Sequence, residues 1–181
     1  SPSGCHKHDR VTDRMKLGLI GLGRMGANMA RRLRRGGIDV VAYNRNPDVT
    51  RALAAEAGLT AVESLPELVA ALAPPRTVWL MLPAGDITDA HLDQLQPLLA
   101  RGDLVVDGAN SWYKDSLRRA ARLAAVGIDF ADAGVSGGVW GLENGYALML
   151  GGSAAAIARL KPASQVLAPG ARQEALPGAP A

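Results

Sequence analysis

Residues 16–35 read KLGLIGLGRMGANMARRLRR, and their reading decides the fold. Lys16 to Gly21 predicts a strand, Arg24 to Arg35 predicts a helix, and Gly21-Leu22-Gly23-Arg24-Met25-Gly26 joins them. Each glycine of this G-x-G-x-x-G loop has a separate task. Gly21 permits the tight turn, Gly23 lets the backbone approach a diphosphate with no Cβ in the way, and Gly26 allows helix and strand to pack closely. The helix start then offers free N–H groups and the positive end of its dipole to that diphosphate. A Gly-rich turn that binds nothing would satisfy the bare spacing. Strand, loop, helix and a second strand together favour a dinucleotide.

The second predicted strand, Asp39 to Tyr43, ends in Tyr43-Asn44-Arg45-Asn46. Sites selective for NAD usually place an Asp or Glu at this tip, about 20 residues past the glycines, to hold the ribose hydroxyls. Here neutral Asn44 stands there, followed by Arg45. Loss of the carboxylate removes repulsion against a 2′-phosphate, and the guanidinium adds a paired donor for it. The expected coenzyme is NADP, with NAD as the alternative. In that alternative Asn44 merely caps the helix starting at Pro47 and Arg45 is solvated.

Outward from this unit, strands are predicted over Thr77 to Leu82, Leu104 to Asp107, Ile128 to Ala133 and Tyr146 to Leu150. Helices are predicted over Pro47 to Ala57, Leu65 to Leu72, Asp86 to Ala100 and Lys114 to Val126. Ser64 and Glu67 form a capping-box pattern at the start of the third helix. The apolar strands VVAY, TVWLML and LVVD lack polar alternation, as strands buried on both faces do. The fold class is therefore α/β, a doubly wound and mostly parallel sheet of Rossmann type. A last helix is expected from Ser153 to about Leu167, kinked or stopped at Pro162. Residues 1–14 and 168–181, polar or rich in Pro, Gly and Ala, are expected to be a disordered leader and tail around one domain over 15–167.

Composition limits the function classes. The chain has 181 residues, 48% hydrophobic and 20% charged, with a net charge of +3. Its 20 basic residues are scattered among 17 acidic ones, so no nucleic-acid partner is expected. Arg31, Arg32, Arg34 and Arg35 read as a solvated helix face that complements the negative end of its dipole. No apolar stretch reaches the length needed to cross a bilayer, so no membrane partner is expected. The single cysteine, Cys5, suggests a reducing, cytoplasmic setting. Cys5-His6-Lys7-His8 lacks a second ligand pair, and no metal is expected.

Two further segments fall where strands of such a sheet end: Asp107-Gly108-Ala109-Asn110-Ser111 and Gly134-Val135-Ser136-Gly137-Gly138-Val139-Trp140-Gly141. Their small residues, amides and hydroxyls could hold a carboxylate or polyol without formal charge. Taken alone they could equally be ordinary turns.

Together with GLGRMGANMA and NRNPD, these segments resemble the coenzyme-binding domain of decarboxylating 6-phosphogluconate dehydrogenases over roughly Met15 to Gly152. SGGVWGLENGYALMLGG resembles the shorter bacterial branch most. Members of the 3-hydroxyisobutyrate type would show Asp-x-Ser-Thr and a Pro before Val-Ser-Gly-Gly, where this chain has DGANS and Gly134. The resemblance implies that Gly21 to Gly26, Asn44, Arg45, Asn46, Leu82, Pro83 and Ala84 contact the dinucleotide. It also implies that Asn110, Ser136, Gly137 and Gly138 line the substrate and nicotinamide side. The reaction it implies is oxidation of a C3 hydroxyl by hydride transfer to NADP, decarboxylation, and tautomerisation to ribulose 5-phosphate. The substrate class is a sugar-acid phosphate.

The chain departs from the family pattern in two respects. Ala109 replaces the usual Gly, which bears on the local backbone. The Lys-x-x-His-Asn-Gly-x-Glu-like segment, in which the family carries its lysine and general acid ahead of a helical, dimer-forming domain, does not occur in these residues. The expectation is a truncated enzyme, inactive alone. The alternatives are an NAD-preferring 3-hydroxyacid dehydrogenase of another substrate class and a non-catalytic NADP(H)-binding module.

Overall fold

In the computed structural model, residues 14–169 are described. The expectations for the leader, the Cys5–His8 run and most of the tail fall outside them. The chain alternates strand and helix: β1 Lys16–Ile20, α1 Arg24–Arg35, β2 Asp39–Tyr43, α2 Pro47–Ala57, β3 Thr60–Val62, α3 Leu65–Ala70, β4 Thr77–Leu80, α4 Asp86–Leu95, β5 Leu104–Asp107, α5 Tyr113–Ala124 and β6 Asp129–Ser136. A 3₁₀ turn at Gly138–Trp140 and the short α6, Gly141–Asn144, lead to β7, Ala147–Gly152, and α7, Ala154–Leu167. The sheet order is β3-β2-β1-β4-β5-β6-β7. All neighbours are parallel except β6 and β7, which run antiparallel from Ala131↔Gly152 to Ser136↔Ala147.

Strand parity divides the core into two layers. Leu17, Leu19, Trp79, Leu104 and Val106 face α1 and α7, where Met29, Leu33, Leu160 and Leu167 are fully buried. Ile20, Val41, Val78, Leu80 and Val105 face α3, α4 and α5, against Leu68, Leu92, Leu95 and Leu123. The order reverses between β1 and β4, which opens a crevice at the carboxyl ends of the strands. By the same parity Asp103 and Asp107 lie on the Val105 side of the sheet, at opposite ends of β5.

Several boundaries differ from expectation for identifiable reasons. β3 pairs only Thr60, Ala61 and Val62 with β2, too short a run to show periodicity. α4 stops at Leu95: Gln96 keeps helical φ and ψ as its C-cap, but Pro97 has no N–H to continue the ladder. β6 continues three residues past Ala133 because β7 pairs with it, so Gly134, Val135 and Ser136 are strand and not turn. Pro162 neither stops α7, which continues to Leu167, nor marks its end. At α3 the Ser64 hydroxyl accepts from Glu67 N–H at 3.2 Å, but the Glu67 carboxylate accepts from Glu63 N–H, one residue before the expected donor.

Of the α1 arginines Arg35 is exposed as expected of a solvated face, whereas Arg31, Arg32 and Arg34 are half-buried, and all four have partners. Arg31 pairs with Glu56 at 2.9 Å, Arg34 with Asp39 at 2.6 Å and Arg35 with Glu143 at 3.1 Å. Arg32 donates to the carbonyls of Leu142, Val166, Leu167 and Ala168, tying α1 to the ends of α6 and α7. The partners lie 5 to 136 residues away in sequence, so composition could not reveal them.

Candidate coenzyme-binding site

The glycine loop behaves as its chemistry requires. Gly21 has φ +97°, a conformation open to glycine, and its N–H donates to the Tyr43 carbonyl at 3.0 Å. A Cβ on Gly26 would collide with the Gly21 carbonyl, whereas one on Gly23 would meet no atom within 4 Å. Gly26 thus seals helix against loop, and Gly23 presents bare backbone to open space. Gly23 also leaves α1 without a side-chain cap, whereas Asn46, Ser64 and Ser153 cap α2, α3 and α7. The first-turn N–H groups of α1 are free to donate to an anion.

Beside the loop lies a cleft of about 290 Å³. Gly21, Leu22, Gly23, Asn44, Arg45, Leu82 and Pro83 line it, as do Tyr43 of the strand tip and Ile87 and His91, which no motif in the sequence marks. Apolar Leu82, Pro83 and Ile87 form a slot suited to a flat ring. His91 Nδ1 lies 2.8 Å from the Ile87 carbonyl, which places the proton of the neutral ring on Nδ1 and leaves Nε2 able to accept. Arg24, Met25, Gly26, Asn46 and Ala84 are not among the lining residues. Asn46 instead caps α2, accepting from Asp48 N–H at 3.0 Å.

Asn44 has a task that its position alone did not reveal. Its Oδ1 accepts from Leu22 N–H at 3.0 Å, tying the tip of β2 to the glycine loop. Its Nδ2 makes a long 3.4 Å contact to the Asn46 carbonyl and remains able to donate toward the cleft. Arg45 is exposed and has no ion pair or side-chain hydrogen bond among the described residues.

Asn110 stands apart from this cleft, past the end of β5. It is the one non-glycine residue with positive φ among those described, at +54°. A Cβ on Gly134 would lie 3.7 Å from Asn110 Oδ1, so the Asn110 loop adjoins the end of β6 that carries Ser136. Ser136, Gly137 and Gly138 are exposed. Ala109 keeps an ordinary φ and donates its N–H to Asp107 Oδ1 at 2.9 Å, so its methyl group is accommodated. Below this turn the fully buried Tyr146 ring packs on Gly137 and Gly141, and burial pushes its hydroxyl pKa upward.

Asp107 is not free to contact a ligand. It is buried and paired with fully buried Arg119 at 3.2 Å. Arg119 also pairs with Asp89, at 2.9 Å, and its hydrogen bond holds the Asp89 carboxyl below the ordinary carboxylate range. A signal for Arg119 was present in the sequence. It shares one face of α5 with Ser116 and Leu123, three residues before and four after, and a charge on a core-facing stripe requires a carboxylate partner.

A reversing parallel sheet, an open glycine loop at its switch point and a polar strand tip beside an apolar slot define a dinucleotide-binding domain of the Rossmann class. Residues 16–173 match the model of the NAD binding domain of 6-phosphogluconate dehydrogenase, and the chain belongs to that family. A decarboxylating 6-phosphogluconate dehydrogenase of Treponema pallidum is 47% identical over 144 residues, which are 77% of this chain and 30% of that protein. An NAD(+)-dependent, decarboxylating 6-phosphogluconate dehydrogenase of Haloferax volcanii is 43% identical over 156 residues, covering 86% and 51%. The chain thus spans about a third to a half of these curated relatives. Among solved structures, 6-phosphogluconate dehydrogenase of Plasmodium falciparum superposes with TM-score 0.79 at 30% identity, covering 84% of this chain and 34% of that one. No helix among the described residues is long and apolar enough to cross a membrane.

Proposed function

We propose that this chain is the NADP-preferring coenzyme domain of a decarboxylating 6-phosphogluconate dehydrogenase and that it acts in the cytoplasm. The observation that carries the coenzyme assignment is that open Gly23 backbone and the Arg45 guanidinium, which has no partner among the described residues, line one cleft. Gly21 to Gly23 and the first turn of α1 would hold the diphosphate. Tyr43, Leu82, Pro83, Ile87 and His91 would enclose the adenine, while Asn44 Nδ2 and Arg45 would donate to the ribose 2′-phosphate. A nicotinamide coenzyme held by these residues would supply the hydride acceptor. Asn110 and the Ser136-Gly137-Gly138 turn would orient the sugar-acid phosphate through amide, hydroxyl and backbone N–H donors.

The rest of the proposed reaction needs a base for the C3 hydroxyl and an acid for the enediol carbon after carbon dioxide leaves. We assign neither to this chain. Asp107 and Arg119 are committed to each other, and Lys114 Nζ sits 5.1 Å over the Trp112 ring. The Lys-x-x-His-Asn-Gly-x-Glu-like segment does not occur in the sequence. We therefore propose that these residues bind coenzyme without turnover by themselves, and that dimerisation and catalysis belong to a helical domain of the kind the resemblance implies. The test is an absorbance assay of coenzyme reduction at saturating 6-phosphogluconate and NADP+. No turnover is expected, and a rate in the ordinary enzyme range of about 1–10³ s⁻¹ would overturn the assignment of acid and base elsewhere.

One observation favours a second reading, in which the coenzyme is NAD. The Haloferax volcanii relative is named as NAD(+)-dependent. In that case Arg45 is a solvated side chain and Asn44 serves only the Leu22 N–H.

A further inference from the structure

The buried ion pair at the end of β5 is connected on all sides. The two Asp107 oxygens take the N–H of Ala109, at 2.9 Å, and the hydroxyl of Ser111, at 2.6 Å, so both chain neighbours of Asn110 are bound to one carboxylate. Between them Asn110 takes its left-handed φ of +54°, which asparagine tolerates better than most residues. Arg119 Nη1 then donates to the same Asp107 oxygen, at 3.2 Å, and to the Ser111 hydroxyl at 2.9 Å. Its Nη2 donates to the Gly85 carbonyl at 3.3 Å, and its Nε to Asp89 at 2.9 Å. Gly85 and Asp89 belong to the start of α4, immediately after the cleft-lining Leu82 and Pro83. One guanidinium therefore spans the β4–α4 and β5–α5 connections.

In a doubly wound sheet a dinucleotide lies across the switch point, so its adenosine half covers β1 and β2 and the other half crosses the ends of β4 and β5. From this placement, which rests on the coenzyme reading above, we propose that Asp107 and Arg119 are positioning residues for the nicotinamide half of the coenzyme. They fix Asn110 in its left-handed geometry and set the separation of the two loops over which that half passes. Ser111 is the hinge pin between them. The adenosine half is held chiefly by Tyr43, Asn44, Arg45 and the glycine loop, none of which bonds to Asp107, Ser111 or Arg119, and it shares with Arg119 only the start of α4 that carries Ile87.

This division gives the proposal a readout that general destabilisation would not move. The full chain is titrated calorimetrically with NADP+ and with adenosine 2′,5′-bisphosphate, which has the adenosine half and no nicotinamide. Arg119→Met is expected to weaken NADP+ binding about tenfold and adenosine 2′,5′-bisphosphate binding less than about twofold. Arg119→Lys, which keeps a charge for Asp107 without the fork that reaches Gly85 and Asp89, is expected to fall between wild type and Arg119→Met. Ser111→Ala removes one hydroxyl and leaves the ion pair, so it decides the matter if Arg119→Met does not fold; it too is expected to weaken NADP+ selectively. Equal losses for both ligands, or no loss for NADP+, in Ser111→Ala would overturn the proposal. Wild-type protein that binds neither ligand, nor NAD+ and ADP in a parallel pair of titrations, would instead overturn the coenzyme reading itself.

Discussion

Strand β5 is flanked by two buried aspartates on the same side of the sheet, each paired with an arginine, and the two ends do different work. At the entry, Asp103 accepts from Arg76 N–H and Ala100 N–H, both at 2.7 Å, and from the Arg76 guanidinium at 3.2 Å. Arg76 also donates to the Val69 and Leu72 carbonyls, and Arg159 of α7 donates to the Gly102 and Arg76 carbonyls. Most of these acceptors and donors are backbone groups that would otherwise be orphaned where turns converge, so the pair seals that end. At the exit, the Asp107 pair spends its bonds on Ala109, Ser111, Gly85 and Asp89 and leaves Asn110 pointing beyond the sheet. The same chemistry closes one end and presents the other, and the difference lies in what surrounds the carboxylate.

The largest effect that would sharpen this contrast is at the closed end. Asp103→Ala leaves the half-buried Arg76 without its carboxylate and orphans two backbone N–H groups, at a cost of about 3–5 kcal/mol in unfolding free energy. Denaturant titration measures it. Coenzyme affinity of the folded protein should be unchanged, and a selective loss of affinity would break the division between the two ends.

Arg45→Ala comes next. Removal of one charged hydrogen-bond donor is expected to weaken NADP+ binding by about 1.5–3 kcal/mol while thermal stability stays level, since Arg45 is exposed. A smaller loss would make Arg45 a bystander. Asn44→Asp retains an acceptor for the Leu22 N–H but sets a carboxylate against the 2′-phosphate, so the ratio of NADP+ to NAD+ affinity should fall. An unchanged ratio would remove Asn44 from coenzyme choice.

The smallest expected effect is on acid stability. The Asp89 pKa is lowered chiefly by its hydrogen bond to Arg119, against an opposing contribution from burial, with Arg118 assisting. A folded pKa below the unfolded one stabilises the protein above the ordinary carboxylate value of 3.8, and that stabilisation is lost as pH falls through the depressed value. Asp89→Asn should therefore lower the melting temperature at neutral pH and flatten its decline in acid. Parallel decline in variant and wild type would show that the Arg119 pairing contributes nothing there.

How much of this was legible before the fold was known varies by residue. The glycine loop was, because three glycines at fixed spacing between a strand and a helix leave few physical alternatives. β3 was not, since Thr60–Val62 is held by pairing with β2 and not by its own pattern. Ile87 and His91 line the cleft together with Ile20 and Gly21, a tertiary fact with no local signature. Asn44 is legible as the neutral residue at the tip that selects the coenzyme, yet its bond to Leu22 N–H emerges only when the loop folds back on β2. The half-burial of Arg31, Arg32 and Arg34 was not legible because charge in a helix says nothing about Glu56, Asp39 and the α6 and α7 carbonyls elsewhere in the chain.

The most direct test of the central claim is a calorimetric titration of the 181-residue chain with NADP+ and NAD+ under identical conditions. The account predicts binding of both at one site per chain, with NADP+ the tighter. Absence of binding by either, or tighter binding of NAD+, would contradict it.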